Sequence, residues 1–357
     1  MQNKVPVNIS IIIPVYQVEP YVQRCLDSVM AQDCPDATIE CVLVDDCGHD
    51  SSMAIVRQMV SGYSGAMRFL VFEHEHNRGL SAARNTGMEK ASGDFVLFLD
   101  SDDYLLPGSI QAFVAYLLQY PSANVVVGRG KDCRDGSCFL DGLDDVRLIE
   151  DRCEFLQLLL SGKIYIQAWN KLIRRSVILE HKLSFVEGVL FEDVPWSYHL
   201  FSVASSVLLI PQMTYVYTYN SNSIVNTAFS AGNAEKSLRS LTIVVNDVLD
   251  TPPSHLHNGK DLTVDYLFFL ARNLMKATDL SIRYAFPKQL SEDFVTVRRR
   301  FLAYSLRKGR VMLSCFFWLI FFPLSFLQKW RFFRRHYDKL EKIGCWFGHL
   351  TDCLHKT

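Results

Sequence analysis

The chain carries ten cysteines but no Cys-x-x-Cys pair. The thiols are scattered, and Cys25 and Cys41 fall inside apolar segments. That distribution argues against a zinc ribbon or a redox motif, and it suits reduced, mostly buried thiols in a cytosolic protein. Cys133 and Cys138 flank Arg134-Asp135-Gly136-Ser137. Their spacing leaves pairing or metal binding open, although two ordinary thiols are the simpler reading. Charge of one sign is also lacking. The formal net charge is −1, so nothing electrostatic points to nucleic acid. No Gly-x-Gly-x-x-Gly follows the first strand-like run, where Pro14-Val15-Tyr16-Gln17-Val18-Glu19 stands instead. This excludes a dinucleotide-binding dehydrogenase. A nucleotidyltransferase would need a basic Gly-rich loop at the same place, and that is missing too. The first residues lack the basic start, long apolar centre and cleavage site of a signal peptide. No internal repeat is visible.

What is present is a regular alternation over the first 130 residues. Ile9–Ile13, Glu40–Val44, Phe69–Phe72, Phe95–Leu99 and Val125–Val127 are apolar runs of strand length. Between them, Tyr21–Met30, a stretch capped by Asp50 or Ser51 and reaching Gly62, Ser81–Ala91, and a stretch from Pro107 to Tyr120 read as helices. Such a series predicts an α/β fold with a mostly parallel sheet covered by helices on both faces. Beyond residue 150 helical signals dominate, at 152–161, 175–181, 193–203, 231–249 and 264–277. A strand-like stretch, Val207–Tyr219, interrupts them. Thr251-Pro252-Pro253-Ser254, with His255 to Gly259, reads as a linker.

Carboxylates mark the strand ends. The run Phe95–Leu99 stops at Asp100-Ser101-Asp102-Asp103, and the run Glu40–Val44 stops at Asp45-Asp46. Acidic groups at the mouth of a core strand are costly unless a cation joins them. Mg²⁺ and Mn²⁺ take oxygen ligands, typically one or two carboxylates plus substrate phosphates. Open α/β sheets bind ligands at the carboxyl ends of their strands, where Pro14, Asp45-Asp46 and Asp100–Asp103 all fall. Asn77-Arg78-Gly79-Leu80-Ser81-Ala82-Ala83-Arg84-Asn85 adds a Gly turn, a helix start and two arginines, features suited to an anion.

These motifs, in this order, resemble glycosyltransferase family 2, with its GT-A nucleotide-sugar-binding fold. The resemblance is densest over the first 110 residues. It continues through Ala168-Trp169-Asn170-Lys171 and Phe191-Glu192-Asp193. It implies an inverting transfer from a nucleotide diphosphate sugar, typically UDP-linked, to a hydroxyl of a glycan or lipid-linked glycan, assisted by Mn²⁺ or Mg²⁺. Pro14, Val15, Tyr16 and Glu19 would line the nucleoside pocket, and Asp46 would hold the base. Asp100 and Ser101 would contact the donor, Asp102 with Asp100 the metal, and Arg84 a phosphate. Asp193 would be the general base with Glu192 beside it. Trp169 and Lys171 would lie on the acceptor side. One departure is visible: Asp45-Asp46-Cys47-Gly48 replaces the family's usual Asp-Asp-Gly-Ser. A processive synthase would carry several membrane spans and a Gln-x-x-Arg-Trp motif, and neither occurs. The alternative from another class is a non-catalytic nucleotide- or sugar-binding relative, which would have no use for a base at position 193.

The sequence divides into a catalytic domain over 1–225, a helical extension over 226–297 and a basic, apolar tail over 298–357. Within the tail, Val311–Leu327 has no charge, and basic clusters flank it at 298–310 and 329–339. A single span would set one cluster against the positive-inside tendency. The expectation is therefore peripheral attachment to the cytoplasmic face of a membrane, with a true span or a buried helix of the second domain as the alternatives.

Overall fold

The computed structural model describes residues 6–221, 223–252 and 262–310. The tail segment Val311–Leu327 and most of the expected linker lie outside the described residues. Among the described residues, no helix is long and apolar enough to cross a membrane.

The chain forms two compact units. Met1–Gly188 with Glu192–Asn226 makes the first, and Val189–Phe191 with the chain from Thr227 onward makes the second. In the first, the apolar runs of the sequence become β1 (Val7–Val15), β2 (Ala37–Asp45), β3 (Arg68–Glu73) and β4 (Phe95–Phe98). Their order is β3-β2-β1-β4, all parallel, with Ile11 level with Cys41 on one side and Leu97 on the other. β1, β2 and β4 are buried along most of their length, which is why they read as continuous apolar runs rather than alternating ones. Helices α1 (Glu19–Met30), α2 (Ser52–Gly62) and α3 (Leu80–Lys90) make the crossovers. α3 lies close to β1 because residue 87 is glycine: a Cβ there would fall 2.3 Å from Ile12 Cγ2. This contact sets the height of α3 over the sheet, and with it the position of Arg84.

The other half of the sheet departs from the parallel expectation. β5 (Tyr104–Leu105), α4 (Ser109–Gln119), β6 (Val125–Asp132), β7 (Cys138–Phe139), β8 (Arg147–Ile149) and α5 (Arg152–Leu160) follow in sequence. Next come β9 (Lys171–Arg174), α6 (Arg175–Glu180), α7 (Asp193–Val203) and β10 (Val207–Tyr217). β9 inserts between β4 and β6 and runs antiparallel to both. β6 and β10 pair in parallel, while β5 and β8 add antiparallel strands to β10. The short run Lys171–Arg174 gave no strand signal of its own. Its place comes from tertiary pairing, with Leu97 opposite Leu172. Cys133 and Cys138 are both free thiols.

A single-turn helix, α8 (Ile224–Thr227), ends this part of the chain. The second unit contains α9 (Ala234–Asp250), α10 (Thr263–Arg283) and α11 (Lys288–Arg307). The last of these had no counterpart in the sequence reading, and it runs unbroken through residue 298. Tyr266 Oη donates to the Val248 carbonyl at 2.6 Å, and Arg300 pairs with Asp250. Residues 189–191 pack here too: Leu190 N–H donates to Ser240 Oγ, and Phe191 stacks on Phe229.

Candidate active site

Two acidic loops leave the carboxyl edge of the parallel strands, and the fold treats them differently. After β2, Asp46 is buried and fully engaged. Its Oδ1 accepts from the Arg78 amide at 2.8 Å and contacts His74 Nδ1 at 2.7 Å. Its Oδ2 accepts from the Gly79 amide at 2.8 Å and from Asn77 Nδ2 at 2.9 Å. A carboxylate can only accept, so His74 Nδ1 carries the proton, and Nε2 faces Thr86 Oγ1 at 3.0 Å. Gly79 sits at φ +90°, a conformation open chiefly to glycine, and that conformation lets consecutive amides reach one carboxylate. Asp46 therefore builds the turn that starts α3, and its acceptor sites are taken up within the fold. The expected contact to a base does not follow from this geometry.

After β4 the balance is reversed. Asp103 is buried and tied to β10, accepting from Tyr215 Oη at 2.6 Å and the Thr218 amide at 2.7 Å. Burial and the charges of Asp102 and Asp100 hold its carboxyl well above the ordinary range. Asp102 accepts from Asn220 Nδ2 at 3.0 Å. Burial, reinforced by the Asp100 charge, pushes its carboxyl up to about 6. Of the loop's three carboxylates, Asp100 is paired with Arg84, whereas Asp102 has only the Asn220 amide and the charge of Arg24 set against burial and Asp100.

Arg84 ties this loop to α7. Its side chain is 1 % exposed. Nη2 meets Asp100 Oδ1 at 2.7 Å, and Nη1 meets Glu192 Oε1 at 2.8 Å and Asp193 Oδ1 at 3.0 Å. Phe185 lies against the guanidinium at 5.2 Å and stacks in turn on Trp196. The sequence placed Arg84 against a donor phosphate; in the structure its guanidinium is buried and shared by three carboxylates, with Nε left without a hydrogen-bond partner. Glu192 and Asp193 stand at the start of α7. Burial raises both carboxyls above their ordinary values; each is opposed by Arg84, and Asp193 also by Lys171. Glu192 is buried, whereas the Asp193 side chain keeps 20 % exposure. Asp193 Oδ1 also accepts from the Ala168 amide at 3.2 Å.

The Ala168–Lys171 motif proves structural. Trp169 is in the core, stacked on Tyr215 at 4.4 Å and Tyr165 at 4.9 Å. Lys171 is fully buried, its Nζ bonded to the Gln167 carbonyl and lying 3.9 Å from the Tyr165 ring centre. Burial lowers its ammonium well below the usual range. Both side chains, expected on the acceptor side, are buried in the core. Asn170 takes φ +57° and spends its amide on the Gly128 and Arg129 carbonyls. The motif reaches the site through the Ala168 N–H and through the Lys171 charge, which acts on Asp193.

The remaining expected residues lie around the end of β1. Pro14 and Val15 are buried in the strand, level with Val44 and Asp45. Tyr16 emerges 42 % exposed. Glu19 begins α1 and accepts from the Ser51 amide at 3.0 Å, while its own amide donates to Asp50 Oδ2 at 2.9 Å. It is thus a reciprocal cap joining α1 and α2. Ser101 is buried inside the acidic loop. The sequence reading missed His74 and Asn220, which hold Asp46 and Asp102. Each lies just beyond a strand end, with no local pattern to distinguish it.

A parallel half-sheet with acidic loops at its carboxyl edge is continued by antiparallel strands in one mixed α/β sheet. Residues 10–177 match the family described as Glycosyl transferase family 2. EpsH of Bacillus subtilis is 32 % identical over 61 % of this chain and 62 % of its own length. The poly(ribitol-phosphate) β-N-acetylglucosaminyltransferase TarS of Staphylococcus aureus is 27 % identical over 58 % of this chain and 35 % of its own. A crystal structure of TarS residues 1–349 with UDP-GlcNAc aligns at a TM-score of 0.62 and 19 % identity, covering 83 % of this chain and 81 % of that one. Residues 10–177 are thus similar to glycosyltransferase family 2, and the chain has the GT-A fold. It spans less than two thirds of the length of EpsH and of TarS.

Proposed function

We propose that the protein is an inverting glycosyltransferase that moves a sugar from a UDP-sugar to a hydroxyl of a glycan or lipid-linked glycan. The observation that carries this reading is the linkage of Asp100 to Asp193 through one buried guanidinium. It joins a carboxylate on the donor-side loop to a partly exposed one suited to be a base. The UDP-GlcNAc bound by TarS supports the choice of nucleotide.

Asp193 is the base. Arg84 and the Ala168 amide hold its Oδ1, and the carboxylate removes a proton from the acceptor hydroxyl as that oxygen attacks the anomeric carbon. Attack from the face opposite the diphosphate inverts the centre, so no second, nucleophilic carboxylate is needed. Burial raises the Asp193 carboxyl, which brings its basicity closer to that of a working base near neutral pH. Glu192, buried against the same guanidinium, fixes the orientation of Arg84. Tyr16, at the exposed end of β1, lies against the nucleoside, with Pro14 and Val15 supporting it.

The donor set fits a divalent metal. Among the described residues, no three His, Cys, Asp or Glu side chains form a self-sufficient metal cage. Mg²⁺ and Mn²⁺ sites need only one or two carboxylates when phosphates complete the shell. Asp102, with Asp100 beside it, supplies hard oxygens, and a metal there would offset charge on the leaving diphosphate.

Peripheral attachment to a membrane through Val311–Leu327 and its basic flanks completes the proposal on sequence grounds alone. Fractionation of the full chain against a 1–310 truncation tests that part. The catalytic reading is tested by nucleotide release from a panel of nucleotide sugars with Mn²⁺ or Mg²⁺. Release that requires the metal and an acceptor is the expected result. Binding of UDP-sugars without turnover under any acceptor would make the chain a binding protein instead.

A further inference from the structure

With Trp169 and Lys171 in the core, the acceptor side of the proposed site needs another surface, and the exit of β10 offers one. The strand ends at Tyr217, and Thr218, Tyr219 and Asn220 follow. The Thr218 amide donates to Asp103 at 2.7 Å, and the Asn220 side chain donates to Asp102 at 3.0 Å. Tyr219 is therefore pinned on both sides to the acidic loop, since successive Cα atoms are only about 3.8 Å apart. Both neighbours are buried, yet Tyr219 is 44 % exposed.

The ring has a fixed backing. The Arg134 guanidinium lies 5.3 Å from its centre and 5.9 Å from that of Tyr217. Asp132 clamps Arg134 through Nε at 3.0 Å and Nη2 at 2.5 Å. Tyrosine loses few rotamers on binding, and a backed ring loses fewer still, so the surface is pre-organised. Charge then limits what it can hold. The Arg134 charge is matched by Asp132, so the patch is a poor seat for a phosphate. A flat aromatic face with a polar rim suits a neutral ring with one apolar face and hydroxyls at its edge. That is the chemistry of a pyranose.

We propose that Tyr219, backed by Arg134 and held beside Asp102 by Asn220, is the stacking platform for the acceptor sugar. This rests on the glycosyl-transfer reading and names a subsite within it.

The test measures UDP release from UDP-GlcNAc and UDP-glucose with Mn²⁺, stimulated by the p-nitrophenyl β-glucoside, β-galactoside and β-N-acetylglucosaminide. UDP affinity is measured separately by calorimetry. For Tyr219→Ala, the glycoside concentration giving half-maximal stimulation should rise about tenfold, the size of one lost aromatic contact, and Tyr219→Phe should restore it. UDP affinity should move by less than about twofold. Superimposable stimulation curves for wild type and Tyr219→Ala overturn the platform. So does an equal loss of UDP affinity, which would assign Tyr219 to the donor. A wild-type chain that releases UDP but responds to none of the glycosides also overturns it, leaving the transfer reading in place. A wild-type chain that binds no UDP defeats the transfer reading itself.

Discussion

Asp46 and Asp102 start from the same position in the fold, a carboxylate just past a parallel strand, and end in opposite states. Asp46 receives two backbone amides, an asparagine and a histidine, so its charge is spread over a turn that it builds. Asp102 is buried beside Asp100, and one side-chain amide and the Arg24 charge do not offset this, so its charge is a burden on the native state. A carboxylate whose acceptors are filled from within is part of the scaffold. One left short of partners waits for something from outside. Acidic residues at a strand end do not reveal which they are; the donors that the chain brings to them do.

The comparison can be pressed through substitutions, the largest effects first. Asp193→Asn keeps the shape of the side chain but cannot take a proton. Turnover should fall by about 10²–10⁴-fold, with donor affinity little changed, in a steady-state transfer assay. A normal rate in this variant, with Glu192→Gln inactive, would exchange the two roles.

Arg84→Met removes the cation shared by Asp100, Glu192 and Asp193. Breaking a buried ion pair from one side costs about 3–5 kcal/mol, so the urea midpoint should drop accordingly. Stability that recovers on lowering the pH, as the stranded carboxyls protonate, would identify charge rather than packing as the cause.

Asp102 should show the reverse of ordinary acid behaviour. Its folded-state carboxyl is raised to about 6 from an ordinary 3.8, so the folded state binds the extra proton between those values. Its contribution therefore favours the folded state at low pH and is lost as pH rises through about 6. The sum is on the order of 3 kcal/mol at most, at about 1.4 kcal/mol per unit. Asp102→Asn should remove that slope and be more stable than wild type at pH 7, while losing transfer activity. Melting curves from pH 4 to 8, with and without Mn²⁺, check both points. A wild-type protein that gains no stability from Mn²⁺, with or without UDP, would count against the metal.

Asp46→Asn should have the opposite sign. Replacing one acceptor oxygen with an NH₂ group sets donor against donor at the Arg78–Gly79 turn, which costs about 1–3 kcal/mol. Activity should fall only as the turn loosens, with no change in metal requirement. If Asp46→Asn instead abolishes UDP binding while melting like wild type, the carboxylate serves the base after all.

The strands of the first half, the helices between them and the acidic strand ends were legible because each is written locally. Buried parallel strands are continuous apolar runs, and α3 begins at a glycine that only a positive φ requires. β9 was not legible, because four residues of ordinary composition become a strand only when β4 and β6 flank them. The same is true of roles within a motif. Ala168–Lys171 was found as a unit, but which of its atoms serves the site depends on the core around it. Trp169 fits among Tyr165 and Tyr215, Lys171 lies beneath Tyr165 with its charge acting on Asp193, and the Ala168 N–H bonds Asp193 directly.

By itself the sequence determined the resemblance to glycosyltransferase family 2, the α/β alternation and the set of acidic residues, because hydrophobic period, glycine positions and motif order are properties of neighbours along the chain. The tertiary structure decided which carboxylates are scaffold and which carry surplus charge. It made Arg84 the tie between Asp100 and Asp193, and it left Tyr219 exposed between two buried neighbours. The reason is physical: charge balance and burial depend on groups that are distant in sequence, and those meet only when the sheet has formed.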